Sequence, residues 1–91
     1  MVSLIEIQRE MQDLSNWSIE ENGNAIVKDL SFSNFKESID FVNKVAEVAE
    51  KHSHHPDIIV NYNTVRLSLT THSLNSLTKK DFEVAREIDK L

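Results

Sequence analysis

The longest periodic segment of the chain, SNFKESIDFVNKVAEVAEKHSHHP, runs from Ser33 to Pro56. Apolar residues recur in it at helical spacing, which predicts a helix over 33–52. The apolar residues are Phe35, Ile39, Val42, Ala46 and Ala49, widened by Phe41, Val45 and Val48. About half of the circumference is then apolar, more than a single core-facing stripe requires. Such a helix either lies deep in a small core or also contacts a second subunit, and the small size of the domain favours the second.

Two shorter patterns precede this helix. Ser3 followed by Glu6 is a capping-box pattern and predicts a helix over 3–14. Trp17 and Ile19 alternate with polar residues, and the turn dipeptide Asn22-Gly23 separates them from a second run over 25–32. This combination predicts a β-hairpin.

Two further strands and a helix follow Pro56. The patterns predict a strand over 58–62, a tight connection at Asn63-Thr64, a strand from Val65 and a last helix capped by Thr78. If alternation continues, His72 lies on the polar face of that last strand. The order of elements predicts an α+β fold, a four-stranded antiparallel sheet with three helices packed on one face (α-β-β-α-β-β-α). We expect residues 1–91 to form a single domain.

Composition excludes several classes of function. The chain has 91 residues and no cysteine, so a disulfide framework, a thiolate metal site and a catalytic thiol are impossible. Its net charge of −5 argues against direct nucleic-acid binding, which depends on cationic neutralisation of phosphates. No segment has the length and apolarity of a membrane span or the features of a signal peptide. We therefore expect a cytoplasmic protein without a membrane partner.

Three of the four histidines fall within four residues, His52-Ser53-His54-His55, and the hairpin that follows should bring the fourth, His72, back beside them. Three interpretations remain open on the residues alone. The histidines could bind a metal, they could cap the long helix, or they could carry out metal-free acid–base catalysis. Capping suits His52 best. It suits His54 and His55 less well, because Pro56 imposes an extended conformation on the residue before it. Catalysis is the moderately favoured interpretation.

The spacing of seven residues resembles the motif spacing of one protein family. Glu50, His54-His55-Pro56, Tyr62, His72 and Asp81 stand at the intervals of the pterin-4a-carbinolamine dehydratases. The resemblance covers essentially the whole chain from Trp17 onward. It implies an enzyme that dehydrates 4a-hydroxytetrahydropterin to quinonoid dihydropterin, with no metal and no cofactor, assembled as a homodimer or homotetramer.

The resemblance also implies roles for individual residues. His55 and His72 would act as the acid–base pair, and His54 would place the pterin or stabilise charge. His52 falls outside the motif and is expected to be structural. The predicted substrate-binding residues are Trp17, Glu50, Pro56, Thr70, Thr71 and Asp81. Three of these have structural alternatives, since Trp17 could belong to the core, Glu50 could be a solvated residue at the end of the long helix, and Asp81 could cap the last helix.

The sequence departs from the family pattern at two places. Asn75-Ser76 stands where a glycine usually precedes the last helix, and asparagine tolerates the left-handed conformation that such a turn needs. Leu30 stands where phenylalanine is common. An alternative function is a dehydratase-like adaptor or transcriptional coactivator that binds other proteins, although an adaptor has no chemical reason to retain the histidines.

Overall fold

The computed structural model describes residues 2–91 and has the predicted order of elements. The three helices are α1 (Leu4–Met11), α2 (Phe35–His52) and α3 (Lys79–Ile88). The four strands are β1 (Trp17–Ile19), β2 (Ile26–Ser31), β3 (Asp57–Asn61) and β4 (Thr64–Leu69). The predicted α+β class is therefore confirmed, and most predicted bounds are correct to within two residues. The first helix is shorter than predicted and ends at Met11.

The strands form one antiparallel sheet in the order β1-β2-β4-β3, so β1 and β3 are its edges. Ile26 pairs with Leu69, and Val65 pairs with Leu30 on one side and Val60 on the other. Residues at alternate positions of β4 are buried, as a sheet covered on one face requires. The uncovered face carries a surface ion pair between Asp29 and Arg66.

One hydrophobic cluster joins all three helices to the covered face of the sheet. Ile7 enters it from α1, Val45 and Val48 from α2, and Phe82 and Ile88 from α3. Every helix therefore contributes to the same core. No helix within residues 2–91 is long and apolar enough to cross a bilayer.

Two predictions about the last hairpin are wrong. The tight connection lies at Tyr62-Asn63, where Tyr62 adopts a positive φ of 47°, and Thr64 already belongs to β4. Strand β4 ends at Leu69, so His72 does not continue its polar face. His72 lies in a turn closed by the bridge between Thr71 and Ser76. The hydrogen bonds of that turn replace the strand ladder.

Candidate active site

His54 and Asp81 form a pair that joins the end of α2 to the start of α3. His54 Nε2 lies 2.6 Å from Asp81 Oδ1, and the Asp81 side chain is fully buried. His54 reaches this place because Ser53 ends α2 in the left-handed conformation, with φ of 50°. The His54 N–H then donates to the Ala49 carbonyl, which stabilises the end of the helix.

Asp81 also caps α3 with its second oxygen. Oδ2 accepts hydrogen bonds from the Thr78 N–H and from the Thr71 hydroxyl, both at 2.9 Å. The helix-capping role and the contact with a motif histidine are therefore not alternatives, because separate oxygens serve each. Through Thr71 the same carboxylate contacts the segment that carries His72.

His55 and Glu50 form a second imidazole–carboxylate pair at the surface. Their Nε2 and Oε2 atoms lie 2.5 Å apart, and both side chains are more than half exposed. Glu50 occupies the last turn of α2, and Pro56 directly follows His55. A carboxylate beside an imidazole orients the ring and stabilises the charge that the ring gains on accepting a proton.

His72 is exposed and lies in the turn over 71–76. Asn75 adopts the left-handed conformation there, with φ of 48°, and its N–H donates to the His72 carbonyl. The turn therefore contains an asparagine in the left-handed conformation that this residue tolerates. The ion pairs formed within residues 2–91 include the rings of His52, His54 and His55 but not that of His72.

Two predicted substrate-binding residues, Trp17 and Thr70, use their polar groups in hydrogen bonds to other parts of the chain. Trp17 is 7% exposed, and its indole N–H donates to Asp89 at 2.8 Å. Asp89 lies at the opposite end of α3 from Asp81, about 12 Å away along the helix axis. The hydroxyl of Thr70 donates to the Asn24 carbonyl. The structure therefore favours the core interpretation of Trp17 and gives Thr70 a contact with the β1–β2 turn.

His52, which falls outside the motif, contacts the last turn of α3. Its Nε2 is 3.4 Å from Glu87 Oε1, an ionic contact without the geometry of a hydrogen bond. Lys51 donates to the same oxygen at 3.2 Å, and this bond, together with the nearby His52, lowers the pKa of the Glu87 carboxyl. These contacts tie α2 to α3, in keeping with a structural role for His52.

One contact of the site, between Thr78 and Thr71, was not predicted from the sequence. The Thr78 hydroxyl lies 2.8 Å from the Thr71 hydroxyl, so both threonines belong to the polar network of Asp81. Thr78 was recognisable as a helix cap, but no local signal pointed to its partner in the preceding turn. Within residues 2–91, no group of three or more His, Cys, Asp or Glu side chains is arranged to share a metal ion.

Comparison with known proteins identifies the family. The family model described as pterin 4 alpha carbinolamine dehydratase matches residues 2–91. The chain belongs to this family. A relative from Sulfolobus acidocaldarius is provisionally named a pterin-4-alpha-carbinolamine dehydratase. It is 44% identical over 86 residues, which cover 94% of this chain and 92% of the relative's chain. A relative from Nostoc sp. with the same provisional name is 44% identical over 91 residues, covering 100% of this chain and 96% of its own.

Solved structures show the same family fold. The crystal structure described as a transcriptional coactivator/pterin dehydratase from Brucella melitensis has a TM-score of 0.92 and 30% identity, covering 98% of this chain and 95% of the other. A pterin dehydratase-like protein identified as a RuBisCO assembly factor has a TM-score of 0.70 and 18% identity, covering 84% of this chain and 88% of the other. At that identity, the second likeness shows the fold alone.

Proposed function

We propose that this protein dehydrates 4a-hydroxytetrahydropterin to quinonoid dihydropterin and so recycles a tetrahydrobiopterin-type cofactor. The observation that carries the proposal is the position of Asp81, which contacts His54 and, through Thr71, the turn that bears His72. This contact joins the two histidine-bearing segments of a chain that belongs to the dehydratase family.

The reaction requires one proton to be delivered and another to be removed. The 4a-hydroxyl leaves as water when it is protonated and its bond to C4a breaks. The adjacent ring nitrogen loses its proton as the double bond to C4a forms. Imidazoles suit both transfers, because they accept and donate protons near neutral pH.

We assign the acid–base pair to His55 and His72. Both are exposed and can therefore approach a substrate, whereas His54 is held against a buried carboxylate. Each proton transfer would contribute about 10²–10⁴-fold to the rate. His54 would place the pterin or stabilise charge, and no cofactor or metal takes part in the proposed scheme.

Among the predicted substrate-site residues, Pro56 and Thr71 directly adjoin His55 and His72 in the chain, and Glu50 is paired with His55. Glu50 would orient His55 or accept a hydrogen bond from the amino-pyrimidinone edge of the pterin. Asp81, being fully buried, would act through His54 and Thr71 rather than by direct contact.

We also propose that the protein works in the cytoplasm as a homodimer or homotetramer. Phe35 is 51% exposed and Ala46 is exposed on the same flank of α2, where Ile39 and Val42 are only half-buried. This flank supports a second subunit as the partner of α2, as the breadth of its apolar surface predicts.

The test is the decay of chemically prepared 4a-hydroxytetrahydropterin with and without micromolar protein. We expect an accelerated release of water and formation of the quinonoid product. No acceleration would reject the enzyme. A stoichiometric protein partner together with no pterin affinity would instead support the adaptor function, for which the Brucella melitensis description offers a precedent.

A further inference from the structure

The hydroxyls of Thr78 and Thr71 form a chain that ends on Asp81. Thr78 Oγ1 lies 2.8 Å from Thr71 Oγ1, which lies 2.9 Å from Asp81 Oδ2. The carboxylate is fully buried, and its other oxygen faces His54 Nε2 at 2.6 Å. All the polar contacts of this buried group therefore come from two threonines and one histidine.

The chemistry of the groups sets the direction of each hydrogen bond. An ionised carboxylate only accepts, so Thr71 gives its single hydroxyl hydrogen to Asp81. Thr71 then offers Thr78 only a lone pair, and Thr78 must be the donor between them. On the other oxygen, an ionised Asp81 requires a hydrogen on His54 Nε2 for the same reason. Every donor in the network points towards Asp81, an arrangement in which successive hydrogen bonds strengthen one another.

This direction selects one tautomer of His54. A neutral imidazole carries one hydrogen, so a ring with Nε2–H has a lone pair on Nδ1. The partner of one ring nitrogen thus decides which nitrogen is available for chemistry. For His54 the available nitrogen is Nδ1.

The same hydroxyl of Thr71 also fixes the turn that bears His72. Thr71 starts that turn, and its main chain forms both hydrogen bonds of the bridge to Ser76. Because the Thr71 side chain binds Asp81 and Thr78, the turn is attached to the first residues of α3. A change in this attachment would move His72 relative to His54.

We propose that Thr71 and Thr78 are positioning residues that act through Asp81 to keep His54 in the Nε2–H tautomer and the His72 turn in place. The kinetic part of this inference rests on the proposed dehydratase function. It replaces the predicted direct contact of Thr71 with substrate, and it adds Thr78, which the family motif leaves out.

The test compares Thr71→Val, Thr71→Ser and Thr78→Val with the wild-type protein. Thr64→Val is the matched control, because the Thr64 hydroxyl donates to the Asn61 carbonyl in the β3–β4 turn. Ring ¹⁵N spectra of His54, assigned with His54→Gln, report the tautomer without any substrate. Wild type and Thr64→Val should show hydrogen on Nε2. The two valine variants of the network should show a mixture of tautomers, because an Asp81 carboxylate that is no longer held on its Oδ2 side can turn away from His54.

Steady-state kinetics supply the second readout. Thr71→Val and Thr78→Val should lower kcat at least about tenfold with KM changed less than about twofold, since misplaced catalytic groups slow the chemical step. Thr71→Ser, which keeps the hydroxyl, should recover most of the lost kcat. Thr64→Val should match wild type.

Several results would overturn the inference. Hydrogen on Nδ1 of wild-type His54 would do so at once, as would a valine variant with an unchanged ring spectrum. If Thr71→Val raises KM and leaves kcat unchanged, Thr71 contacts the substrate as the sequence predicts and is not a positioning residue. If wild type shows no dehydration, the proposed function fails, and the ring spectra still decide the tautomer. If Thr71→Val does not fold, Thr78→Val tests the same chain of hydrogen bonds at the hydroxyl one bond further from the Asp81 carboxylate.

Discussion

Asp81 uses its two carboxylate oxygens for different partners. Oδ2 accepts from Thr78 and Thr71 at the start of α3, and Oδ1 contacts His54. His55, by contrast, is paired with Glu50 where both side chains are largely exposed. The site therefore combines one buried pair, suited to fixing geometry, with one exposed pair that a substrate can approach.

Replacing either proposed acid–base histidine should slow turnover without unfolding the protein. We expect His55→Ala and His72→Ala each to lower kcat at least about tenfold, a threshold below the roughly 10²–10⁴-fold that a proton transfer contributes. Both side chains are exposed, so the fold should survive. Turnover and far-UV circular dichroism check this, and folded variants with wild-type rates would reject the assignment.

Removing the charge of Glu50 should have a smaller effect than removing His55. Glu50→Gln should lower kcat by about 1.4- to fivefold, because a pair this exposed contributes only about 0.2–1 kcal/mol to orientation. Glu47→Gln is the matched control, since Glu47 is exposed on the same helix and lies outside the motif. Equal rates for both variants would leave Glu50 without a role in turnover.

At the scale of secondary-structure elements, two clusters of polar side chains fix the position of α3. Lys51 and His52 at the end of α2 contact Glu87. At the same C-terminal end of α3, Asp89 accepts from the Trp17 indole, the Ser15 N–H and the Lys28 ammonium. Because α3 begins at the Asp81 network, these contacts also determine where the site lies.

The contact at Glu87 should make stability depend on acid. Lys51 and His52 lower the pKa of Glu87 from 4.5 in the folded state. The unfolded chain then binds the proton more readily, so the contribution is present above about pH 4.5 and is lost as pH falls below it. Urea unfolding at about pH 7 and about pH 3 should show Glu87→Gln less stable than wild type only at the higher pH. An equal difference at both values would contradict the pairing.

Removing Asp89 should destabilise the domain far more. Asp89→Ala leaves the Lys28 ammonium, whose side chain is 11% exposed, without its carboxylate. Loss of one partner of a largely buried pair costs about 3 kcal/mol, which lowers Tm by roughly 10–20 °C in a domain of this size. Asp40→Ala, which removes an exposed pair with Lys36, is the control and should change stability by less than about 1 kcal/mol. Comparable melting of the two variants would refute the structural role of the Asp89 network.

At the scale of the whole molecule, the core of the chain leaves an apolar flank of α2 uncovered. Ser38, Val45, Val48 and Ala49 face the core, whereas Phe35 and Ala46 are exposed. The apolar pattern is therefore wider than the core of one chain uses, and the proposed second subunit would contact the remainder.

A charge on this flank should weaken assembly. We expect light scattering to give a dimer or tetramer for wild type and a smaller species for Ala46→Glu, because an unpaired carboxylate would be buried in the interface. Lys36→Ser, an exposed substitution nearby, should leave the mass unchanged. A monomeric wild type at micromolar concentration would reject the oligomer.

The elements and their order followed from local patterns in the sequence. The Ser3 capping box and the end of α2 at His52 were predicted and are confirmed, since capping and periodicity act between residues a few positions apart. The motif spacing identified the histidines and the family. The prediction that His72 continues the polar face of the last strand was wrong, because alternating polarity does not show at which residue a strand stops pairing.

Only the tertiary structure decided which carboxylate each histidine contacts. His54 and Asp81 are 27 positions apart, and Trp17 and Asp89 are 72 apart. Such contacts depend on sheet register and on how helices lie across the sheet, which no local pattern encodes. The sequence by itself determined the residues available for acid–base chemistry. The packing of α3 against the end of α2 determined that His54 is bound to a buried carboxylate while His55 and His72 remain exposed.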